Sequence, residues 1–509
     1  MASILYLALP ENHITSIHQG ITSTFASASR LSSLGILEHP SSTSSYDINE
    51  CRAGLINVDK IYTNENYELL FNRNIHIVLK LITRQQIQYG DISFDSVENL
   101  AYKLKALASY FIYEKDIKLI YSKSYPQFAF EFCIMLAAQS LDIKFIFDGF
   151  VPYFNRTILQ EGRIISGSFE ILALKARNPA HIHNNIERPS LLYIHNVLQS
   201  IITINTNSRL APADDTYTPF QHYLRSASEA SLLDIVLESL KEFGSLLCSR
   251  NLVLRVKTLV KFRIKNGKNK YLVTRVSLID ALLKKPLVSF MKSRAILHDI
   301  QDSTAKDLDL KNIDVVYFAS QEPEASILVN GGSYNTNYSA ICYLRAYFEE
   351  SLQIGYKEHM SSFLPNKSSG VGTEPENINC LIYSYIKKLS NVHILDRYPK
   401  SLLFAFPKTY ATICGSIGFE ASLLGQNVLL FSGTWYSECN HPNIHSIGNW
   451  KYKNLPVDCL TSKEIWANFL YTYLEYSVPC EVEDCFIRIN RDTPLYLNNM
   501  LNQLTFIFT

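Results

Sequence analysis

Ile313-Asp314-Val315-Val316-Tyr317-Phe318 holds five β-branched or aromatic residues in six, and it passes directly into Ala319-Ser320-Gln321-Glu322-Pro323-Glu324-Ala325-Ser326. A short apolar run that stops at polar and proline-containing residues predicts a buried strand delivering a loop. The pattern repeats downstream. Helix-like Tyr338 to Glu350 is followed by strand-like Gln353-Ile354-Gly355-Tyr356, then helix-like Ile378 to Leu389 and Val392-His393-Ile394-Leu395. Tyr410-Ala411-Thr412-Ile413, a helix over Gly418 to Leu424 and Val428-Leu429-Leu430-Phe431 complete it. Strands alternating with helices predict a mostly parallel α/β sheet covered on both faces.

Working outward, the amino-terminal part shows the same alternation. Ser3 to Leu9 predicts a strand, with a helix from the Pro10-Glu11-Asn12 turn to about Arg30. Leu55 to Tyr62, Lys118 to Tyr121 and Lys144 to Phe147 predict strands, and Asp95 to Tyr113 and Gln127 to Leu141 predict helices. From about Ala173 to Lys311 helical stretches dominate. The economical architecture is two Rossmann-like halves, 1–172 and 312–480, with a largely helical and basic insertion at 173–311 and a helical tail at 481–509. Ligands of such halves bind in the crevice at the carboxyl ends of the strands.

Composition limits the function classes. The chain has 509 residues, 47% of them apolar, and a formal net charge of +1. It is too long for one ordinary domain and too apolar to be disordered, and its charge does not suit a surface given over to nucleic acid. The ten cysteines form no C-x-x-C pair, which suits buried thiols in a reducing compartment. No apolar stretch reaches the roughly 18 to 20 residues needed to span a bilayer, and the first ten residues lack the basic start of a signal peptide. The expectation is a cytoplasmic protein, either soluble or peripheral at the inner face of a membrane. Residues 250–294 carry thirteen basic side chains against the single acid Asp280. Val253, Val256, Leu259 and Val260 recur there at helical spacing, a pattern suited to lying on anionic lipid or to forming the solvated face of a core helix.

Four strand exits hold chemistry-bearing residues. Gln321, Glu322, Glu324 and Ser326 follow the strand 313–318 and suit sugar hydroxyls or a general base, although Glu324 also suits a helix's first turn. Lys357, Glu358 and His359 follow the strand 353–356 and predict a cationic, hydrogen-bonding mouth for a phosphate. Gly415-Ser416-Ile417-Gly418-Phe419-Glu420 opens a helix after the strand 410–413. Its small residues and helix start suit a phosphate, with Glu420 in reach of a ribose diol; a tight turn needing glycine is the alternative. Asp148-Gly149 closes the strand 144–147, as a cleft-facing carboxylate or an ordinary turn. No zinc-protease, esterase or calcium-loop pattern occurs, and no metal site is predicted.

In this order, Gln321 to Ser326, Lys357-Glu358-His359 and Gly415 to Ala421 with Leu424 to Val428 resemble the bacterial capsular polysaccharide synthesis family, which includes retaining β-Kdo transferases. The resemblance covers mainly residues 313 to 436. It implies a GT-B glycosyltransferase, with an acceptor domain at 1–172 and a nucleotide-sugar domain at 312–480. The donor it implies is a CMP-activated acidic sugar, used without a metal or other cofactor. In that family a His-Pro pair holds the nucleotide; His359 matches the His, and Met360 stands in place of Pro. Ser416 then lies near the phosphate, Glu420 near the ribose, and Asp148 or Glu324 supplies the catalytic carboxylate. The expected partners are the nucleotide sugar and a glycan or lipid-linked acceptor, with an anionic membrane surface met through 250–294 and no nucleic acid. A UDP-sugar transferase or epimerase on the same fold, and a non-catalytic capsule-assembly module, are the alternatives.

Overall fold

The computed structural model describes residues 3–7, 27–31, 36–38, 45–47, 64–89, 117–122, 129–151, 153–165, 168–173, 189–206, 308–320, 325–359, 380–396, 398–406, 409–447, 457–479, 481–482 and 489–490, with isolated positions between 98 and 126. In chain order the first part supplies β1 (Ser3–Leu7), β2 (Ser27–Leu31), β3 (Ile36–Glu38), β4 (Ser45–Asp47) and helix α1 (Glu65–Tyr89). It continues with β5 (Ile117–Ser122), α2 (Ala129–Gln139), β6 (Lys144–Val151), β7 (Arg156–Ile165) and β8 (Ser168–Ala173). Strands β2, β1, β5 and β6 run parallel and side by side. An antiparallel hairpin, β7 with β8, continues from β6, and β3 with β4 extends the other edge.

Two helices cover this sheet for different reasons. In α1 the buried side chains are Tyr67, Phe71, Asn74, Ile77, Val78, Leu81 and Ile82, steps of three and four that keep one stripe inward. Asn64 caps its start by accepting the Asn66 N–H at 2.9 Å. Helix α2 is buried at every position from Ala129 to Ala138, so its sequence is apolar all round. Both pack into one core with Leu5, Ile120, Phe145 and Phe147.

The first half departs from the sequence expectation in several places, and helix α1 and the β3–β4 hairpin are elements it did not predict. Ser27–Leu31, inside the predicted helix ending near Arg30, is a strand parallel to β1. Pairing with β1 overrides the low strand propensity of its serines and alanine. The strand predicted at 144–147 runs on to Val151, so Asp148-Gly149 sits in a ladder rather than a turn. Gly149 has a packing reason: a Cβ there would lie 1.9 Å from Oε1 of Gln160 across the ladder. The hairpin β7–β8 was not predicted. The strand expected at Leu55 to Tyr62 and the basic segment 250–294 lie outside the described residues.

The second part follows the expected alternation closely. After α3 (Leu191–Thr206) come β9 (Val315–Phe318), α4 (Ala325–Asn330), α5 (Asn337–Tyr347), β10 (Ile354–Lys357), α6 (Cys380–Ile386) and β11 (Val392–Ile394). Then follow α7 (Lys400–Phe404), β12 (Thr409–Thr412), α8 (Ile417–Leu423), β13 (Asn427–Leu430), β14 (Ile444–Ser446), α9 (Cys459–Tyr473) and β15 (Val478–Pro479). The sheet order is β11-β10-β9-β12-β13-β14, and every pairing is parallel. The chain builds outward from β9 through β10 to β11, then returns to the other side of β9 to lay down β12. The strand order therefore reverses between β9 and β12. Val315 and Tyr317 face one buried cluster while Val316 and Phe318 face another, as a sheet covered on both sides requires.

The two sheets share packing. Leu328 and Val329 of α4 belong to the core of the first sheet. Val151, Phe154 and Ile158, from the β6–β7 corner, belong to a cluster with Val316, Phe419 and Trp466. Ile194, Leu198 and Ile201 of α3 lie in that cluster too, each burial worth about 1.5–3 kcal/mol. At its end the chain returns to the first sheet, where β15 pairs antiparallel with β7. No helix among the described residues is long and apolar enough to cross a membrane.

Candidate functional site

An order reversal between neighbouring parallel strands leaves a crevice at their carboxyl ends, because the following loops diverge to opposite faces. Here that crevice lies between the exits of β9 and β12, with β10 beside it. Ser320 stands at the first exit, Gly415 and Ser416 at the second, and Lys357 to His359 at the third. The structure thus gathers two of the predicted motifs at one sheet edge. Gln321, Glu322 and Glu324 lie outside the described residues, as does Met360. Ser326 falls in the first turn of α4, with only its backbone described.

At the exit of β10 the side chains turn largely toward the protein. Lys357, 3% exposed, donates from Nζ to the Asp396 carbonyl at 3.3 Å. Asp396, at the end of β11, accepts the Glu358 N–H at 2.7 Å on Oδ1 and the Tyr383 hydroxyl at 2.7 Å on Oδ2. Burial raises the Asp396 pKa, opposed by Lys357 and by both hydrogen bonds. The Glu358 carboxylate accepts the Tyr356 hydroxyl at 2.6 Å and the His359 N–H at 2.9 Å. Glu358 and Lys357 therefore bind the exits of β10 and β11 together. His359 keeps solvent contact while protein crowds its ring, and that crowding lowers its pKa. At neutral pH the imidazole is then uncharged, with one nitrogen able to donate a hydrogen bond and the other to accept one. The predicted cationic mouth is thus less charged than the residue types suggest.

The exit of β12 is shaped by close packing. A Cβ on Gly418 would lie 2.4 Å from the Tyr436 hydroxyl, which itself donates to the Gly415 carbonyl at 2.6 Å. Gly418 is thus required by its neighbour Tyr436, independently of any ligand. The Gly415 N–H reaches Thr412 Oγ1 at 3.3 Å. Phe419 is buried, edge-on to Trp466 at a centroid distance of 4.7 Å.

Glu420 is the hub of this corner. Its Oε1 accepts the Tyr153 hydroxyl at 2.6 Å, and its Oε2 accepts Asn205 Nδ2 at 2.9 Å and Lys400 Nζ at 2.7 Å. These partners come from the β6–β7 corner, from α3 and from α7. Tyr153, with φ +70°, also packs on the Phe419 ring at 5.8 Å. Sequence reasoning missed Tyr153, Asn205 and Lys400, since nothing local marks residues 267, 215 and 20 positions from Glu420 as its partners. A carboxylate offers about four lone-pair sites. Three are used here, so Oε1 retains capacity for one further donor.

Asp148 sits apart from these groups in the first sheet. It is 5% exposed and accepts the Tyr121 hydroxyl at 2.8 Å from the neighbouring β5.

No family model matches the chain, and no curated protein matches it. Among solved structures it is similar to KpsC, a beta Kdo 2,7 transferase of Thermosulfurimonas dismutans, at 17% identity over 42% of this chain and 62% of that one, with a TM-score of 0.24. The chain thus spans less than two thirds of that protein. It is also similar to a UDP-GlcNAc 2-epimerase of Methanocaldococcus jannaschii, at 9% identity over 92% of this chain and 100% of that one (TM-score 0.21). A UDP-GlcNAc 2-epimerase of Neisseria meningitidis matches at 10% identity over 99% of both chains (TM-score 0.19). With overlaps this loose, the mixed α/β fold with its parallel sheets rests on the strand order described above.

Proposed function

We propose that the protein is a GT-B glycosyltransferase that moves an acidic sugar, Kdo or another nonulosonic acid, from a CMP-sugar to a glycan or glycolipid acceptor in bacterial surface polysaccharide synthesis. One observation carries the reading: the motifs shared with the capsular family, Lys357 to His359 and Gly415 to Glu420, fall on strand exits flanking one order reversal, where an α/β sheet binds its ligand. In this reading His359 and the Ser416 turn meet the single phosphate of CMP, and Glu420 uses its remaining Oε1 capacity for a ribose hydroxyl. A carboxylate, Asp148 or Glu324, acts on the reaction. As a base it takes the acceptor hydroxyl's proton while that oxygen attacks the anomeric carbon, and the bond to the phosphate oxygen breaks with its electron pair leaving on CMP. If configuration is retained, a carboxylate first attacks that carbon and the acceptor then displaces it.

The test is a thermal-shift panel of CMP, CDP, UMP, UDP and GDP on the full chain and on His359→Ala. A ligand that binds only the native state adds about 2.7 kcal/mol at a hundredfold excess over its Kd. The expected result is a rise in Tm with CMP alone, lost in the variant. A preference for UDP would move the assignment to a UDP-sugar transferase or epimerase, and no shift with any nucleotide would leave a non-catalytic module.

A further inference from the structure

We infer that Ser320 is a ligand-binding residue, its hydroxyl reserved for an oxygen of the bound nucleotide sugar; the inference rests on the function proposed above. Ser320 ends the central strand β9, on one wall of the crevice opened by the order reversal between β9 and β12. Its backbone is held from both sides by one side chain. Asn337, 2% exposed, accepts the Ser320 N–H at 2.9 Å on Oδ1 and donates from Nδ2 to the Ser320 carbonyl at 2.7 Å. The Tyr317 hydroxyl also donates to Asn337 Oδ1, at 2.8 Å, which fixes the orientation of the amide. Asn337 lies at the start of α5, whose N-cap Thr336 accepts the Ser339 N–H at 3.0 Å, so the clamp is built on a capped helix.

Against this fixed backbone, the Ser320 side chain stands out. The residue is 7% exposed, and its Oγ has no hydrogen-bond partner among the described residues. A buried polar atom without a partner is expensive, and in a folded protein each one calls for an explanation. Other buried serines point the hydroxyl at a neighbouring carbonyl, as Ser422 does to Phe419 at 2.8 Å and Ser477 does to Leu474 at 2.6 Å, and Ser109, also unpartnered, lies away from the crevice. Ser320 instead leaves its hydroxyl unused at the site where the topology places a ligand, with both backbone groups already satisfied. That is the arrangement of a binding group held ready by its supporting residues. Since the hydroxyl is buried, ligand entry must uncover it, and its hydrogen bond then forms only in the complex. A hydroxyl can serve a phosphate oxygen as donor or a sugar hydroxyl as donor or acceptor, and the two sources separate by comparing CMP with a CMP-sugar.

The experiment compares wild type, Ser320→Ala and Thr157→Ala by urea unfolding and by titration calorimetry with CMP and with CMP-Kdo. Thr157 is a control, also buried with an unpartnered Oγ1 but in the ladder of β7. Ser320→Ala is expected to unfold at the same or a higher urea concentration, because it removes an unsatisfied group. It is expected to bind about tenfold more weakly, the equivalent of one hydrogen bond of ~1.4 kcal/mol. A loss confined to CMP-Kdo assigns the hydroxyl to the sugar, and an equal loss with CMP assigns it to the phosphate. Ser320→Ala binding both ligands like wild type, or losing stability with its affinity, would overturn the inference while the nucleotide-sugar reading stands. If wild type binds neither ligand, that reading fails and this one with it.

Discussion

The two sheets satisfy their buried polar groups in opposite ways. At the carboxyl edge of the second sheet, Lys357, Glu358, Asp396, Tyr356 and Tyr383 bond to one another across neighbouring strands, at most 39 positions apart. The β6–β7 corner of the first sheet depends on residues hundreds of positions away. Arg156 donates to the Ser477 hydroxyl and carbonyl at 2.5 and 2.8 Å, Gln160 donates to the Tyr473 hydroxyl at 3.0 Å, and Tyr153 donates to Glu420. The second sheet carries its polar partners with it, whereas the first is completed by Glu420, Tyr473 and Ser477 from the second part. Since an orphaned buried donor costs about 1–3 kcal/mol, damage at a long-range joint should spread into the first sheet while damage to a local network stays where it is.

The largest effect should come from breaking the joint at Glu420. Glu420→Ala strands the Lys400 ammonium, Asn205 Nδ2 and the Tyr153 hydroxyl, and removing one partner of a buried ion pair typically costs about 3–5 kcal/mol. Lys400 is partly exposed, which places the expected loss near the lower end of that range. Urea unfolding measures the loss, and hydrogen exchange tests where it falls: the amides of the β6–β7 ladder should exchange faster. Loss confined to α8 and β13 would show that the corner is held without Glu420 and would undo the contrast between the sheets.

The same contrast explains what could be read from the sequence. Every strand predicted between 313 and 431 lies within two residues of its observed position, because β9, β10, β12 and β13 are short runs buried on both faces and the edge strand β11 is a short apolar run beside them. The hairpin strand β7 gives no such signal. Arg156, Thr157, Gln160 and Glu161 are buried together, so polar residues occupy both faces and the alternation that marks a strand is lost. Their satisfaction depends on Ser477 and Tyr473, which no local window contains. Helix α1 also went unpredicted, although its buried stripe from Tyr67 to Ile82 has a plain helical period. At the site, the strand exits carrying His359 and Ser416 could be foreseen. The inward turn of Lys357 and Glu358 could not, because it is set by Asp396 on a different strand.

A local network sharpens the comparison through pH. His441 is 2% exposed, its Nδ1 accepts the Asn443 N–H at 3.2 Å, and its Nε2 therefore donates to Ser462 Oγ at 2.8 Å. Burial lowers its pKa to about 4. Between the ordinary value near 6.5 and about 4, the unfolded chain binds a proton that the native state refuses, so stability falls as the pH drops through that window. The full loss is about 3 kcal/mol on the scale of 1.36 kcal/mol per unit. Urea unfolding at pH 7 and pH 4.5 should show most of it in wild type, and His441→Gln should flatten the difference. An equally steep pH dependence in the variant would place the titration elsewhere.

The smallest effect is the most informative about the site. Tyr153 reaches from the β6–β7 corner onto Glu420, the residue proposed to meet the ribose, and its hydroxyl occupies one of the two acceptor positions of Oε1. Tyr153→Phe keeps the ring against Phe419 and removes only that hydroxyl, at a cost of about 1 kcal/mol for one hydrogen bond to a charged group near the surface. If the nucleotide displaces this contact, the variant no longer loses the bond on binding. Its affinity for CMP should then rise by up to about fivefold, since 1 kcal/mol is somewhat less than a factor of ten. Weaker binding in Tyr153→Phe would mean that the hydroxyl is part of the nucleotide's own contact set, and the first sheet would then contribute directly to a site that otherwise belongs to the second.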